Sequence, residues 1–209
     1  MRVRPDRTPS RDLALALALL ALFPAAAWAE AYLGAALGAT RFSAYSPCTG
    51  SGGCDLDKYG FGGKIFGGYR FTDYFAVEGG WTDLGQTSAA TTGSVVAGDR
   101  TAVDWRAHGP EASVLLTIPF GDDARFYTRL GALNSKTDAD VNYTNLGVTT
   151  PTARSVNEIN FTLGFGGQWD IGDYVSWRFE WQRFLDVGEA ATTGSADVDL
   201  FAVSALFRF

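Results

Sequence analysis

The chain has 209 residues, a net charge of −6, 46% hydrophobic and 14% aromatic residues, one histidine and two cysteines. That length gives room for one domain of ordinary size. The acidic balance argues against nucleic-acid binding, which depends on Lys and Arg neutralising phosphates, and so few His and Cys leave no ligand set for a zinc centre.

The chain opens on a basic head, Arg2, Arg4, Arg7 and Arg11, diluted by Asp6 and Asp12. An unbroken Ala/Leu run from Leu13 to Phe23 follows, and Pro24 breaks it. Ala27-Trp28-Ala29 then places small residues at the two positions a signal peptidase reads. Residues 1–29 therefore read as a secretory signal peptide, and the mature domain as residues 30–209. The apolar run is shorter than the about 20 residues a spanning helix needs. Removing the leader takes away four Arg and two Asp and brings the net charge to −8. Cys48 and Cys54 lie close together in a Ser/Gly/Pro-rich segment. In an oxidising periplasm they are expected to form a disulfide closing a small loop, with two free thiols as the alternative.

Eight strands are predicted in the mature chain. The first covers about Ala31 to Phe42, with Leu33 and Leu37 opposite Gly34, Ala36 and Gly38. The second covers about Lys58 to Phe71, with Tyr59, Phe61, Ile65, Tyr69 and Phe71 opposite Gly60, Gly62, Lys64, Gly68 and Arg70, interrupted by Phe66. After the tight turn Thr72-Asp73, the third covers Tyr74 to about Leu84, with Phe75, Val77 and Trp81 opposite Ala76, Glu78 and Gly80. Gln86 to Gly98 reads as a long Ser/Thr/Ala/Gly loop. The fourth strand sets Val114, Leu116 and Ile118 against Glu111, Ser113 and Leu115, and Pro110 marks an expected bulge near its start. The fifth, about Ala124 to Lys136, sets Phe126, Thr128, Leu130 and Ala132 against Tyr127, Arg129, Gly131 and Leu133. About Thr137 to Arg154 reads as a third long loop. The sixth strand sets Ile159, Phe161, Leu163, Phe165 and Trp169 against Glu158, Asn160, Thr162, Gly164, Gly166 and Gln168. The seventh, Val175 to Arg183, alternates Val175, Trp177, Phe179 and Trp181 with Ser176, Arg178, Glu180 and Gln182. After a loop around Gly188 to Ser195, the last strand alternates Phe201, Val203, Ala205, Phe207 and Phe209 with Ala202, Ser204, Leu206 and Arg208.

Strict alternation is the β period. Connections that alternate long and short are the rhythm of an outer-membrane barrel, with short periplasmic turns and long outer loops. A lipocalin-like soluble barrel would place the apolar face inside. Here the apolar face carries too many bulky rings for one narrow lumen, whereas the opposite face carries the glycines and a few charges. Trp and Tyr toward strand ends match interfacial girdles. The expected fold is an all-β, eight-stranded antiparallel up-and-down transmembrane β-barrel. The apolar half of every strand would meet lipid, and Lys64, Glu78, Glu111, Arg129, Glu158, Arg178 and Glu180 would be sealed within.

Several stretches resemble the transmembrane barrel domain of the outer membrane protein A family. Gly67-Gly68-Tyr69, then Tyr74, Glu78 and Gly80 with Asp83-Leu84-Gly85, resemble its second and third strands. Tyr127-Thr128-Arg129-Leu130-Gly131 resembles its fifth strand, and Gly166-Gly167 with Arg178, Glu180, Trp181 and Gln182 its sixth and seventh. The resemblance covers nearly all of the mature chain. It implies a salt-bridged lumen network containing Glu78, Arg129, Arg178 and Glu180. The terminal Phe209 is similar to the aromatic ending that the barrel-assembly machinery reads. Two departures stand out. Leu115 occupies the position of a family lysine that exchanges partners with the strand-three glutamate, with Lys64 as the substitute on offer. The other is that the family's C-terminal peptidoglycan-binding domain is expected to be lacking, so wall anchoring is not implied.

Catalytic motifs are weak. The glycines from Gly60 to Gly68 fit neither a dinucleotide fingerprint nor a P-loop. His108 has no serine two residues away, as a lipid A deacylase-like barrel enzyme would need. Glu158 and Glu180 read as network members rather than a hydrolytic pair. The expected function is a non-enzymatic, structural and surface-interacting outer-membrane barrel without cofactors. Its expected partners are outer-membrane lipid, lipopolysaccharide and the assembly machinery. The alternative is a small pore for ions or hydrophobic solutes, as in OmpW-like barrels.

Overall fold

A computed structural model of the chain describes residues 30–43, 54–92 and 99–209. The expected leader, residues 1–29, and Cys48 lie outside the described residues, so the expected disulfide does too. The strands are β1 (Glu30–Ser43), β2 (Cys54–Leu56), β3 (Tyr59–Thr72), β4 (Phe75–Thr92), β5 (Arg100–Phe120), β6 (Ala124–Asn145), β7 (Val148–Ile171), β8 (Val175–Val187) and β9 (Ala196–Arg208). All pairings are antiparallel. β1 pairs with both β3 and β9, and β4 pairs with β5, so eight strands close into a ring. The short β2 adds to the outer end of β4. Closure removes the sheet edges, which is what a spanning sheet requires in lipid.

The side-chain alternation is inverted relative to a water-soluble barrel. On β8, Val175, Trp177 and Phe179 are 39–53% exposed, whereas Ser176, Arg178, Glu180 and Gln182 are buried. The outer face of β7 carries Ile159, Phe161, Leu163, Phe165 and Trp169. Those ten residue steps, at about 3.3 Å each and about 40° tilt, span about 25 Å, the height of an outer-membrane apolar band. Rings cluster at the lower end of the band, where Tyr174 stacks on Phe207 and Phe120 meets Phe126 edge-on.

From the outer end of the band onward the inward side turns apolar, which corrects the expectation that the apolar half of every strand faces lipid. Phe42, Leu84, Trp105, Leu133, Phe184, Val198 and Leu200 point inward and form a buried apolar core. Arg106 is exposed on the outside, where it pairs with Asp83. The solvent outside changes from lipid to water along the axis, and β1, β4, β5, β6, β8 and β9 turn apolar side chains inward there, whereas β7 contributes none to this core.

Three expectations about connections are also corrected. β4 continues to Thr92, so only part of 86–98 lies outside a strand. The expected loop 137–154 is a continuation of β6 and β7, closed by a two-residue turn at Leu146 and Gly147, both with positive φ. Such a turn suits the twist of a hairpin, and Gly147 takes its positive φ without Cβ strain. The bulge expected near Pro110 sits on the partner strand, between Asp83 and Gln86, where Gly85 has φ +80.

Candidate functional site

The middle of the lumen is filled by charged side chains from five strands. Two strand-borne arginines meet one glutamate: Arg129 on β6 and Arg178 on β8 approach Glu78 on β4 at 2.5 and 2.6 Å. Arg129 also reaches Glu180 on β8 at 2.8 Å, and Lys64 on β3 pairs with Glu180. Glu111 on β5 accepts from Thr82 at 2.6 Å and from Gln182 at 2.7 Å. Lys64, Arg129 and Arg178 thus balance Glu78, Glu111 and Glu180. Taking such charges out of water is tolerated only when each is paired and hydrogen-bonded.

Tyrosines complete the cluster. Tyr32 donates to Glu78 at 2.8 Å and Tyr127 to Glu180 at 2.6 Å. The Arg178 guanidinium lies 4.8–5.8 Å from the rings of Tyr127, Phe66 and Tyr32, within cation–π reach. Glycine makes room for these rings: a Cβ at Gly68 would come within 2.3 Å of the Tyr32 ring. The free space beside Lys64, Glu78, Glu111 and Arg129 is about 10 Å³, no more than a single water occupies.

A second ionic layer closes the periplasmic end. Arg70 pairs with Glu30 at 2.5 Å, Arg208 with Asp170 at 3.0 Å, and Arg125 with Asp170. Arg208 also donates to the Gly172 carbonyl at 2.7 Å, and Ser176 to Asp170 at 2.7 Å. Sequence reasoning placed Arg70 and Arg208 on the inward face but missed this layer. The signal was the recurrence of inward arginine at the ends of three strands, β3, β6 and β9.

The remaining sequence-derived residues fall elsewhere. Glu158 lies on the inward parity of β7 but is only half-buried, and it has no ion-pair partner among the described residues. Leu115 is buried against Ala76 and Tyr127 instead of joining the charges. Gln168, bonded to Arg178 at 3.0 Å, is a neutral neighbour that sequence reasoning did not single out for the network. Phe209 faces outward at the periplasmic rim, its N–H bonded to the Ala31 carbonyl. His108 packs its ring 5.9 Å from Trp81 on the outer wall. Among the described residues no group of His, Cys, Asp and Glu is placed to hold a metal. In the outer hairpin, partial burial raises the Asp138 carboxyl pKa, but hydrogen bonds from Ser155 and Lys136 outweigh it, and the net shift is downward.

The profile of the OmpA-like transmembrane domain matches residues 26–209. Outer membrane protein A of Klebsiella pneumoniae is 31% identical over 151 residues, covering 71% of this chain and 41% of that protein. Its Salmonella typhi counterpart is 28% identical over 179 residues, covering 85% and 48%. The chain therefore spans about half the length of the curated relatives it matches. The outer membrane protein OprG from Pseudomonas aeruginosa has the same fold, with a TM-score of 0.56 at 10% identity and coverage of 86% of this chain and 96% of that one.

Proposed function

The chain belongs to the OmpA-like transmembrane domain family of Gram-negative outer-membrane barrels, and from that premise we propose that it is a sealed, non-catalytic structural barrel that holds a set of extracellular strands at the cell surface. The observation that carries this reading is the balanced lumen cluster of Lys64, Glu78, Glu111, Arg129, Arg178 and Glu180, with about 10 Å³ of space beside it. The apolar core above it and the arginine layer below it support the same reading. Leu115 supports it as well, because an apolar side chain offers Glu78 no second partner. The outer-membrane lipids and lipopolysaccharide would surround the aromatic band, and the assembly machinery would read the strand ending at Phe209. Residues 1–29 would be removed on export, and Cys48 and Cys54 would be joined outside.

Planar-bilayer recording of the refolded barrel tests the proposal. A sealed barrel gives no steady conductance, and Glu78→Ala or Arg178→Ala introduces one. Steady conductance in the unaltered protein would overturn the sealed reading in favour of a small pore.

A further inference from the structure

β7 and β8 differ in length by almost a factor of two. β7 runs for 24 residues and β8 for 13. β8 follows β7 only from Thr162 to Ile171. It then leaves the line of the sheet at Asp186, whose φ is +49, and Gly188, whose φ is +84. On its other side β7 stays paired with β6 all the way to the Asn145–Val148 turn. The part of β7 on the outer side of Thr162 is therefore an edge, whereas below Thr162 the ring is closed.

The register shows which groups the edge offers. A two-residue hairpin makes Asn145 and Val148 a hydrogen-bonded pair, so even-numbered β7 residues bond to β6 and odd-numbered ones face away. The Asp170 N–H, which bonds to Asp123 on the β6 side, confirms that parity. Ala153, Ser155, Asn157 and Ile159 thus turn N–H and C=O groups toward the position β8 has vacated. Among the described residues no backbone group bonds to them there. Pro151 shares the parity and has no N–H to offer, so it ends the usable edge on the outer side. The open run from Ala153 to Ile159 is about 20 Å long at about 3.3 Å per residue.

The surroundings of the edge are acidic. Glu158, the carboxylate that the lumen cluster does not absorb, lies beside it. Asn160 ties β7 to the Asp186 carbonyl at 2.7 Å, and the Asp186 N–H bonds to Asp197 at 3.1 Å. Glu189 stands in the same turn, where it accepts from Thr192. Two basic side chains stand close by, and both are engaged: the head of Arg154 is held by the Thr192 carbonyl at 3.1 Å, and Lys136, opposite Asn157 on β6, pairs with Asp138 at 3.3 Å.

The geometry points to a strand-addition site: an extended, basic segment of a partner protein pairs with Ala153–Ile159 and takes the place of the missing outer half of β8. Backbone hydrogen bonds supply the attachment, and Glu158, Asp186, Glu189 and Asp197 select for Lys or Arg at alternate positions. This deepens the surface-contact reading without depending on whether the lumen conducts, so the two fail separately.

The test uses the barrel in nanodiscs and an N-acetylated eight-residue peptide of alternating Lys and Val as probe. Amide exchange should slow at Ala153, Ser155, Asn157 and Ile159 when peptide is added. Ser155→Pro, which removes one edge N–H and leaves the β6 ladder intact, should weaken binding at least tenfold, and Glu158→Gln by a few-fold. If Ser155→Pro does not fold, the same peptide N-methylated at alternate residues reads the same bonds from the other side and should not bind. Three results overturn the proposal: no protection at saturating peptide, equal binding of an alternating Glu-Val peptide, or binding that is indifferent to both Ser155→Pro and N-methylation.

Discussion

Glu78→Gln is the most informative single change to the lumen. The Glu78 side chain is 2% exposed and receives Arg129, Arg178 and the Tyr32 hydroxyl. Glutamine keeps the shape but removes the charge and turns an amide toward one arginine. Arg129 retains Glu180 at 2.8 Å, whereas Arg178 is left with neutral Gln168. Breaking a buried pair in this way costs about 3–5 kcal/mol, because the surviving charge stays desolvated. Adding Arg178→Met should then recover a large part of that loss, since the uncompensated charge is gone. The assay is urea unfolding of the barrel refolded into vesicles, followed by heat-modifiable gel mobility. Asp83→Asn serves as the control, because its partner Arg106 is 55% exposed at the side chain and an exposed pair is worth less than about 1 kcal/mol. A loss for Glu78→Gln no larger than that of the control would mean that water reaches the cluster, and the reasoning would be refuted.

Other changes separate the surfaces of the barrel. Phe179→Arg, in the middle of the outer band, should destabilise insertion by about 2–4 kcal/mol, whereas Asp197→Arg at the outer mouth should leave refolding yield unchanged. Trp181→Arg should impair insertion far more than replacement of Gln182, and equal effects on gel mobility would count against the facing of β8. Gly38→Val should prevent closure of the β1–β9 seam, because a Cβ there would lie 2.1 Å from the Phe201 carbonyl. The readout is absence of the fast-migrating unheated band. Phe184→Ala, in the apolar core at the outer end of the lumen, should lower stability by about 3–5 kcal/mol without producing conductance in bilayers.

The membrane part of the fold was legible because a single rule holds there. Within the band, lipid outside forces apolar residues onto alternate positions, so Val175 to Gln182 reveals both period and facing. Arg178 and Glu180 could be placed inward for the same reason. Above the band that rule ends. In Thr137 to Asn145 both faces carry polar or small residues, and the segment read as a loop although its Thr, Val and Tyr favour strands. The reversal of polarity was hidden for a related cause: Trp105 and Phe184 stand on the inward parity of Glu111 and Glu180, so the apolar set passes from the outward to the inward positions at the water boundary. Glu158 was placed in the lumen network by parity alone, and parity does not reveal how far along the axis the cluster extends. The periplasmic arginine layer was missed because each of its members is single on its own strand and becomes a group only when the ring closes.

The direct test of the inverted barrel is fluorescence quenching by lipids brominated along their acyl chains. It is applied to two single-tryptophan forms of the chain starting at Glu30, with the other tryptophans replaced by phenylalanine. Trp177, 44% exposed on the outer face, should be strongly quenched, and Trp105, fully buried inside the outer end, should not. Strong quenching of Trp105 with Trp177 protected would contradict the account.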